Sequence, residues 1–365
     1  MSGDLKQKVL DRARQLGFIL AGVTTPEPPP HLEIFENWLA QGRQARMAYL
    51  ARQSARDRRA DPRLILPESR SILMLAVPYS SPSAVKKDVL GDSVSSEHGG
   101  SPWRGRIASY AWGEDYHEVL PARLKSLVEF IEREVGMPVP NRWYTDTGPI
   151  LERDLAQRAG LGWIGKNTCL INPRQGSYFL IAEILLGIDL DPDPPVTTDH
   201  CGSCTRCLQA CPTQCILPDR TLDAGRCISY LTIELKENIP DELRTELGPW
   251  VFGCDICQMV CPWNRFAPEN GDEAFTAKDF IPLPLLTTEL RLTKDSFNRK
   301  YKHTAMKRVG YRGYMRNVAV SLGNQGDESS LPALAAAAEN SPALVQEHAY
   351  WAMNQVKKRI SGNQP

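Results

Sequence analysis

The chain has 365 residues, with 43 basic and 43 acidic side chains that cancel to a formal charge of zero. That length makes two or three domains with ample core, and no apolar run approaches a membrane span. Residues 1–20 read as a polar amphipathic helix and not as a secretory leader, so the expectation is a cytoplasmic monomer whose thiols stay reduced.

In chain order, Leu5, Val9, Ala13 and Leu16 recur in helical period up to a stop at Gly17, and a proline-rich turn follows at 26–30. Between Arg43 and Arg70 stand eight arginines against Asp57, Asp61 and Glu68. Residues 71–77 form a continuous apolar run stopped by Pro78, as a buried strand requires. Residues 81–104 are mostly Ser, Gly, Lys and Asp and predict a mobile loop. Order resumes at 106–110, helices are predicted over 116–135 and 149–159, and 178–186 is a further apolar run. Strands and helices mixed over some 190 residues make an α/β or α+β domain.

The stiff segment from Asp191 to Asp199 leads into a region dominated by cysteine. Eight of the ten cysteines form the pattern Cys201-x-x-Cys204-x-x-Cys207-x-x-x-Cys211-Pro, then Cys227, then Cys254-x-x-Cys257-x-x-x-Cys261-Pro. Each 4Fe-4S cluster needs four thiolates, and the cysteine before proline reaches across to the other cluster. Cys201, Cys204, Cys207 and Cys261 then hold one cluster, and Cys211, Cys227, Cys254 and Cys257 the second. C-x-x-C pairs also bind zinc, but two zinc sites would not call for the paired Cys-Pro elements. The leftover Cys169 and Cys215 read as packed small side chains.

Beyond the cysteines, Arg291, Lys294, Arg299, Lys300, Lys302, Lys307, Arg308, Arg312 and Arg316 face one acid, Asp295. Such a patch on a neutral protein suits a polyanion bound at a defined place, against the alternative of a solvated helix face. Residues 306–322, 330–338 and 343–356 read as three amphipathic helices of HEAT type.

Two further motifs take their meaning from their context. Gly160-Leu-Gly-Trp-Ile-Gly165 matches G-x-G-x-x-G, yet it leaves a helix where a dinucleotide turn leaves a strand, so its glycines are expected to admit some other flat ligand. Asp115-Tyr-His117-Glu-Val-Leu120 comes near the Asp-x-His-x-x-Gly grip on cobalamin and fails at Leu120, which leaves His117 as a packed or surface residue. Asp146, ahead of a helix start that Thr147 can cap and Pro149 can open, is free to be a proton donor if a dry pocket raises its pKa.

Thr145-Asp146-Thr147-Gly148, the 159–167 run Ala-Gly-Leu-Gly-Trp-Ile-Gly-Lys-Asn, Cys227-Ile-Ser-Tyr-Leu-Thr-Ile-Glu234 and Gly253-Cys-Asp-Ile-Cys-Gln258 occur in this order with the cysteines. In these motifs the chain resembles the epoxyqueuosine reductases over nearly its whole length. The resemblance implies a cobalamin- and iron-sulfur-dependent oxidoreductase that reduces the epoxide of epoxyqueuosine at the tRNA wobble position, completing queuosine. It implies an α+β protein: a nitroreductase-like cobalamin-binding α/β domain over 1–195, a ferredoxin-like two-cluster domain over 196–270, a connecting segment over 271–302 and a HEAT-like tRNA-docking module over 303–365. Carried over by motif, Asp146 is the catalytic proton donor, and cobalamin is held by Arg59, Asp146, Lys166, Asn167, Leu170, Ile181, Ser229 and Asp255. Lys307, Arg308, Arg312 and Arg316 are expected on the phosphates of the anticodon loop, and a flavodoxin or ferredoxin is expected to supply electrons. Cys215 stands where the family usually carries alanine. A small-molecule reductive dehalogenase or a pure electron-transfer protein are the alternative readings; tRNA binding separates off the first and bound corrinoid the second.

Overall fold

The structure, a computed structural model, describes residues 2–81 and 103–362. Strands β1 (Leu20–Thr24), β2 (Ser71–Pro78), β3 (Asn141–Tyr144) and β4 (Phe179–Leu186) form one sheet in the order β1-β2-β4-β3, every neighbour antiparallel. Helix and sheet are thus mixed, without parallel crossovers in this sheet. The loop expected at 81–104 lies, from 82 to 102, outside the described residues.

Strand β2 reads as unbroken apolar sequence because both of its faces are covered. Leu73, Leu75 and Val77 pack with Ala182, Ile184 and Leu186 in the main core, whereas Ile72, Met74 and Ala76 pack with Leu155, Ala156 and Leu185 on the other face. Helix α1 (Ser2–Gln15) adds Val9 and Ala13 to the main core, and α2 (Tyr116–Val135) adds Leu120, Leu124, Leu127 and Ile131 at helical spacing. Asp115 caps α2 by accepting the His117 backbone N–H at 3.0 Å, and Gly136 closes it with φ of 80°.

Helix α3 (Glu152–Arg158) begins three residues later than the sequence predicts. Asp146 takes a left-handed φ of 58°, and the Glu152 carboxylate reaches back to accept its N–H at 2.8 Å, rolling 146–151 into a turn. In the Gly160–Gly165 motif the chain turns tightly onto itself, with the 163–164 and 170–171 segments paired antiparallel. A Cβ at Gly162 would lie 2.2 Å from the carbonyl oxygen of Ile171.

After the short helix α4 (Ile228–Ile233), the chain ends in α5 (Gly310–Gln325), α6 (Leu331–Asn340) and α7 (Ala343–Ile360). Residues 306–309, expected inside the first of these, belong instead to a 3-10 turn over Ala305–Val309. Helix α5 is covered on nearly every side, from Gly313 through Gly323, and its Val318, Ala319 and Leu322 belong to the same apolar cluster as the sheet. The main core therefore runs without a break from the amino-terminal half into the carboxy-terminal helices.

Candidate functional site

Two groups of thiols emerge from the loops between β4 and residue 266. Cys201, Cys204, Cys207 and Cys261 line one cavity of about 230 Å³, together with Lys166, His200, Arg206, Trp263 and Arg265. In the other group, Cys254 is under the electrostatic influence of Cys227 and Cys211, and Cys257 of Cys254 and Cys227. Cys201, Cys204, Cys207 and Cys261 thus share one cavity wall, while Cys211, Cys227, Cys254 and Cys257 feel one another's charge.

The two spare cysteines are placed by this second group. Cys215 Sγ lies 3.4 Å from Cys211 Sγ and also influences the Cys227 thiol, while Cys169 and Cys257 influence each other's charge. The Cys215 contact holds the Cys211 thiol down to about 5. Packing against apolar neighbours, the expectation for both, describes neither one fully: their nearest polar partners are the proposed cluster thiols.

A second, larger cavity of about 390 Å³ opens beside the thiol region. Its apolar wall includes Ile34, Phe35, Trp38, Met47, Leu50 and Ile150, and its polar groups include Arg59, Asp146, Glu152 and Arg153. Arg59 is buried, and burial lowers its pKa; its guanidinium lies 5.6 Å from the Phe35 ring and donates to the Ala55 carbonyl at 3.1 Å. Of the residues expected to hold cobalamin, Arg59 and Asp146 line this cavity.

The others are positioned differently. Lys166 Nζ is turned to the thiol loop, donating to the carbonyls of Gly202 at 2.7 Å and Cys204 at 2.9 Å, and Asn167 donates to the Cys257 carbonyl at 3.4 Å. Leu170 lies inside the apolar cluster over the sheet, so only its backbone faces the rest of the 166–170 loop. Ile181 sits at the edge of that cluster, its carbonyl accepting from the Thr145 hydroxyl at 2.9 Å. Ser229 lies in α4, two residues beyond Cys227, and its carbonyl accepts from the Thr232 hydroxyl at 3.3 Å. Asp255 is buried beside Cys254, accepts the Ser109 N–H at 2.7 Å, and is pushed up to about 6 by burial.

Asp146 stands at the mouth of the larger cavity, its side chain about half exposed. Three groups converge on its Oδ2: the Tyr116 hydroxyl donates at 2.8 Å, Arg308 Nη1 at 3.1 Å, and His117 Nε2 lies 3.6 Å away. Burial alone would raise this carboxyl, but the His117 contact, the Arg308 charge and the Tyr116 hydroxyl outweigh it and hold it below the ordinary range. The condition set by the sequence, a dry pocket that raises the pKa of Asp146, is not met here. Sequence reasoning missed the neighbours responsible, because Tyr116 and Arg308 are remote in the chain and the failed cobalamin motif drew attention away from His117.

The basic patch divides. Lys307 and Arg312 are exposed, and Lys307 Nζ donates to Asn298 Oδ1. Arg308 is exposed too but already engaged, its Nε donating to Glu234 Oε1 at 2.8 Å and its Nη1 to Asp146. Arg316 corrects the expectation outright, because it is fully buried and cannot meet a phosphate. Its guanidinium donates to the carbonyls of Leu231 at 2.7 Å, Leu235 at 2.9 Å and Glu237 at 2.6 Å, closing the carboxy-terminal end of α4. The amphipathic reading placed it on a wet face, whereas α5 has almost none.

Residues 59–147 match the family model described as Epoxyqueuosine reductase QueG, and residues 200–264 the model of a 4Fe-4S double cluster binding domain. The chain is 39% identical over 353 residues to the epoxyqueuosine reductase of Xanthomonas campestris, covering 96% of each chain. It is 36% identical to that of Escherichia coli over 97% of this chain and 90% of the relative. Among solved structures, an epoxyqueuosine reductase with an epoxyqueuosine-modified tRNA-Tyr stem loop is similar at a TM-score of 0.84 and 30% identity, over 97% of this chain and 90% of that one. The Bacillus subtilis epoxyqueuosine reductase, solved with an aspartate-bearing catalytic loop swung out of its active site, gives 0.85 and 31%, with the same coverage.

Proposed function

The chain belongs to the epoxyqueuosine reductase family, and we propose that it reduces the epoxide of epoxyqueuosine in tRNA to the alkene of queuosine, with Asp146 delivering the proton. Such a reduction consumes two electrons and two protons and releases the oxygen as water. The observation that carries the reading is the convergence of Tyr116, His117 and Arg308 on one carboxylate oxygen of Asp146 at the cavity mouth, beside eight thiols in two groups of four.

The thiols fit two 4Fe-4S clusters in number and grouping: Cys201, Cys204, Cys207 and Cys261 for one, and Cys211, Cys227, Cys254 and Cys257 for the other. The cavity fits a corrinoid in chemistry. Its wall is broad and apolar, and among the described residues no carboxylate hydrogen-bonds the buried Arg59 guanidinium, which leaves donors for the phosphate of a nucleotide tail. When bound, cobalamin supplies a low-valent metal nucleophile for the epoxide carbon. Arg59 would hold the group through its phosphate, the apolar wall of Phe35, Trp38 and Leu50 would exclude water, and Asp146, ionised at rest, would pass a proton to the opening oxygen.

The division into residues 1–195, 196–270, 271–302 and 303–365 assigns cofactor cavity, electron entry, connection and RNA docking in turn. Lys307 and Arg312 are the exposed cations of the docking end, suited to backbone phosphates around an unstacked base. An external one-electron carrier such as flavodoxin or ferredoxin would feed the group at Cys201, which lines a surface cavity. Anaerobic reconstitution with iron, sulfide and cobalamin, followed by incubation with an epoxyqueuosine-bearing stem loop and a chemical reductant, tests the proposal. It expects roughly eight irons per chain, a bound corrinoid, and queuosine as product; reconstituted protein that binds no corrinoid or leaves the epoxide intact would refute it.

A further inference from the structure

Epoxide reduction to an alkene needs one proton as the first C–O bond opens and a second as the hydroxyl leaves as water, and one carboxyl group holds at most one. Building on the proposed function, we infer that His117 is the proton reservoir of the site: the ionised Asp146 takes a proton from His117 Nε2 at Oδ2, and the carboxyl so formed turns that same proton to the substrate oxygen. Asp146 is thus a relay that is refilled within the turnover.

The geometry supports each link. His117 Nε2 is buried, has no hydrogen-bond partner within normal distance among the described residues, and faces Asp146 Oδ2 at 3.6 Å, one small side-chain movement from contact. On the far side of the ring, Nδ1 lies 2.9 Å from Asp115 Oδ1, which fixes the imidazole and stabilises its protonated form. Asp146 Oδ1 has no partner among the described residues and so is open to substrate, since every contact given above is made to Oδ2. The turn that carries Asp146 is anchored from behind by Glu152 at 2.8 Å, so the carboxyl stays within reach of the ring.

The other two groups on Oδ2 are excluded as sources, and Glu152, raised to about 8 by burial and by the Asp146 charge, meets the Asp146 N–H and not its carboxylate. The Arg308 guanidinium does not give up a proton in proteins. The Tyr116 hydroxyl is pushed well above its ordinary value by burial and by the Asp146 charge, so it orients Oδ2 without titrating. The charged and titratable groups facing His117 are then Asp115 and Tyr116 from its own turn, Asp146 from the segment after β3, and Arg308 from the 3-10 turn before α5. Although burial by itself lowers the imidazole, the two aspartates outweigh it and raise His117 to about 9, so it carries its proton at neutral pH. The sign follows directly: the reservoir is full below about pH 9 and empties above it. Protons that leave are replaced from solvent, and the two electrons come from the external carrier through the thiol region.

Two measurements test this on the full chain. In protein without cobalamin, NMR titration of the imidazole, assigned by its loss in His117→Gln, should give His117 a pKa near 9, falling in Asp115→Asn and in Asp146→Asn. Asn at 115 still caps α2, so that variant should fold. In reconstituted protein, single-turnover reduction of the stem loop should hold up to about pH 9 in the wild type, whereas His117→Gln should be ~10-fold or more slower near neutral pH and converge with the wild type only above that limb, where the reservoir is empty in both. Asp115→Asn should move the alkaline limb to lower pH. A His117 that titrates at its ordinary value, or a His117→Gln protein whose pH profile matches the wild type, overturns the relay. A wild type that converts nothing would sink the functional reading on which the relay rests, and the titration would then judge the Asp146–His117 pair alone.

Discussion

Replacing Arg316 with methionine separates a cation that binds RNA from one that holds the protein together. The guanidinium is fully buried and serves three backbone carbonyls, those of Leu231, Leu235 and Glu237, besides Asn317 Oδ1 at 2.8 Å. Each buried acceptor left without a donor costs about 1–3 kcal/mol, and methionine recovers part of this because the buried charge no longer has to be desolvated. The net loss is then about 3–5 kcal/mol, in line with several buried carbonyls losing a charged donor at once, or a midpoint lowered by roughly 5–15 °C for a chain of this size. Thermal unfolding followed by circular dichroism, under anaerobic conditions and with iron analysis in parallel, reads both consequences. Since α4 begins immediately after Cys227, iron retention should fall along with stability, while the salt dependence of RNA affinity should be unchanged in whatever remains folded. A midpoint within about 2 °C of wild type, with weakened and salt-flattened RNA binding, would refute the structural role and restore Arg316 to the interface.

Other outcomes follow from the same contacts. Changing Lys307 and Arg312 together to glutamine should weaken stem-loop binding and reduce the slope of log affinity against log salt by about 1.4, given roughly 0.7 per phosphate contact on a single strand; an unchanged slope in filter binding would make both residues ordinary surface. Asp146→Asn should keep iron content and RNA affinity but slow single-turnover reduction by about 100- to 10,000-fold, the usual contribution of a positioned acid. A rate within about threefold of wild type would remove Asp146 from the chemistry.

What the sequence made legible was whatever is written in local spacing. The cysteine groups follow from ligand periods of two and three residues. Strand β2 follows from an apolar run covered on both faces, and the capped helix α2 from Asp115, Gly136 and a clean 3.6-residue stripe. The state of Asp146 was not legible, because its charge is set by His117, Arg308 and Tyr116, which stand 29, 162 and 30 residues away in the chain. Arg316 was misread for a related reason: a helix buried all round has no wet face on which periodicity could place an arginine. The tight approach that the Gly160–Gly165 run permits to the Ile171 carbonyl is likewise not written in its glycine spacing.

Next to Arg316 on α5, Asn317 donates to the Thr232 carbonyl at 2.7 Å and the Val251 carbonyl at 2.9 Å, so one buried amide ties the segment after Cys227 to the strand before Cys254. The carboxy-terminal helices therefore cannot be treated as a cassette, to be deleted or grafted when RNA recognition alone is of interest. Cutting them away would unfasten two arms of a metal cage, and an inactive shortened protein would be reporting lost iron before it reported lost nucleic acid.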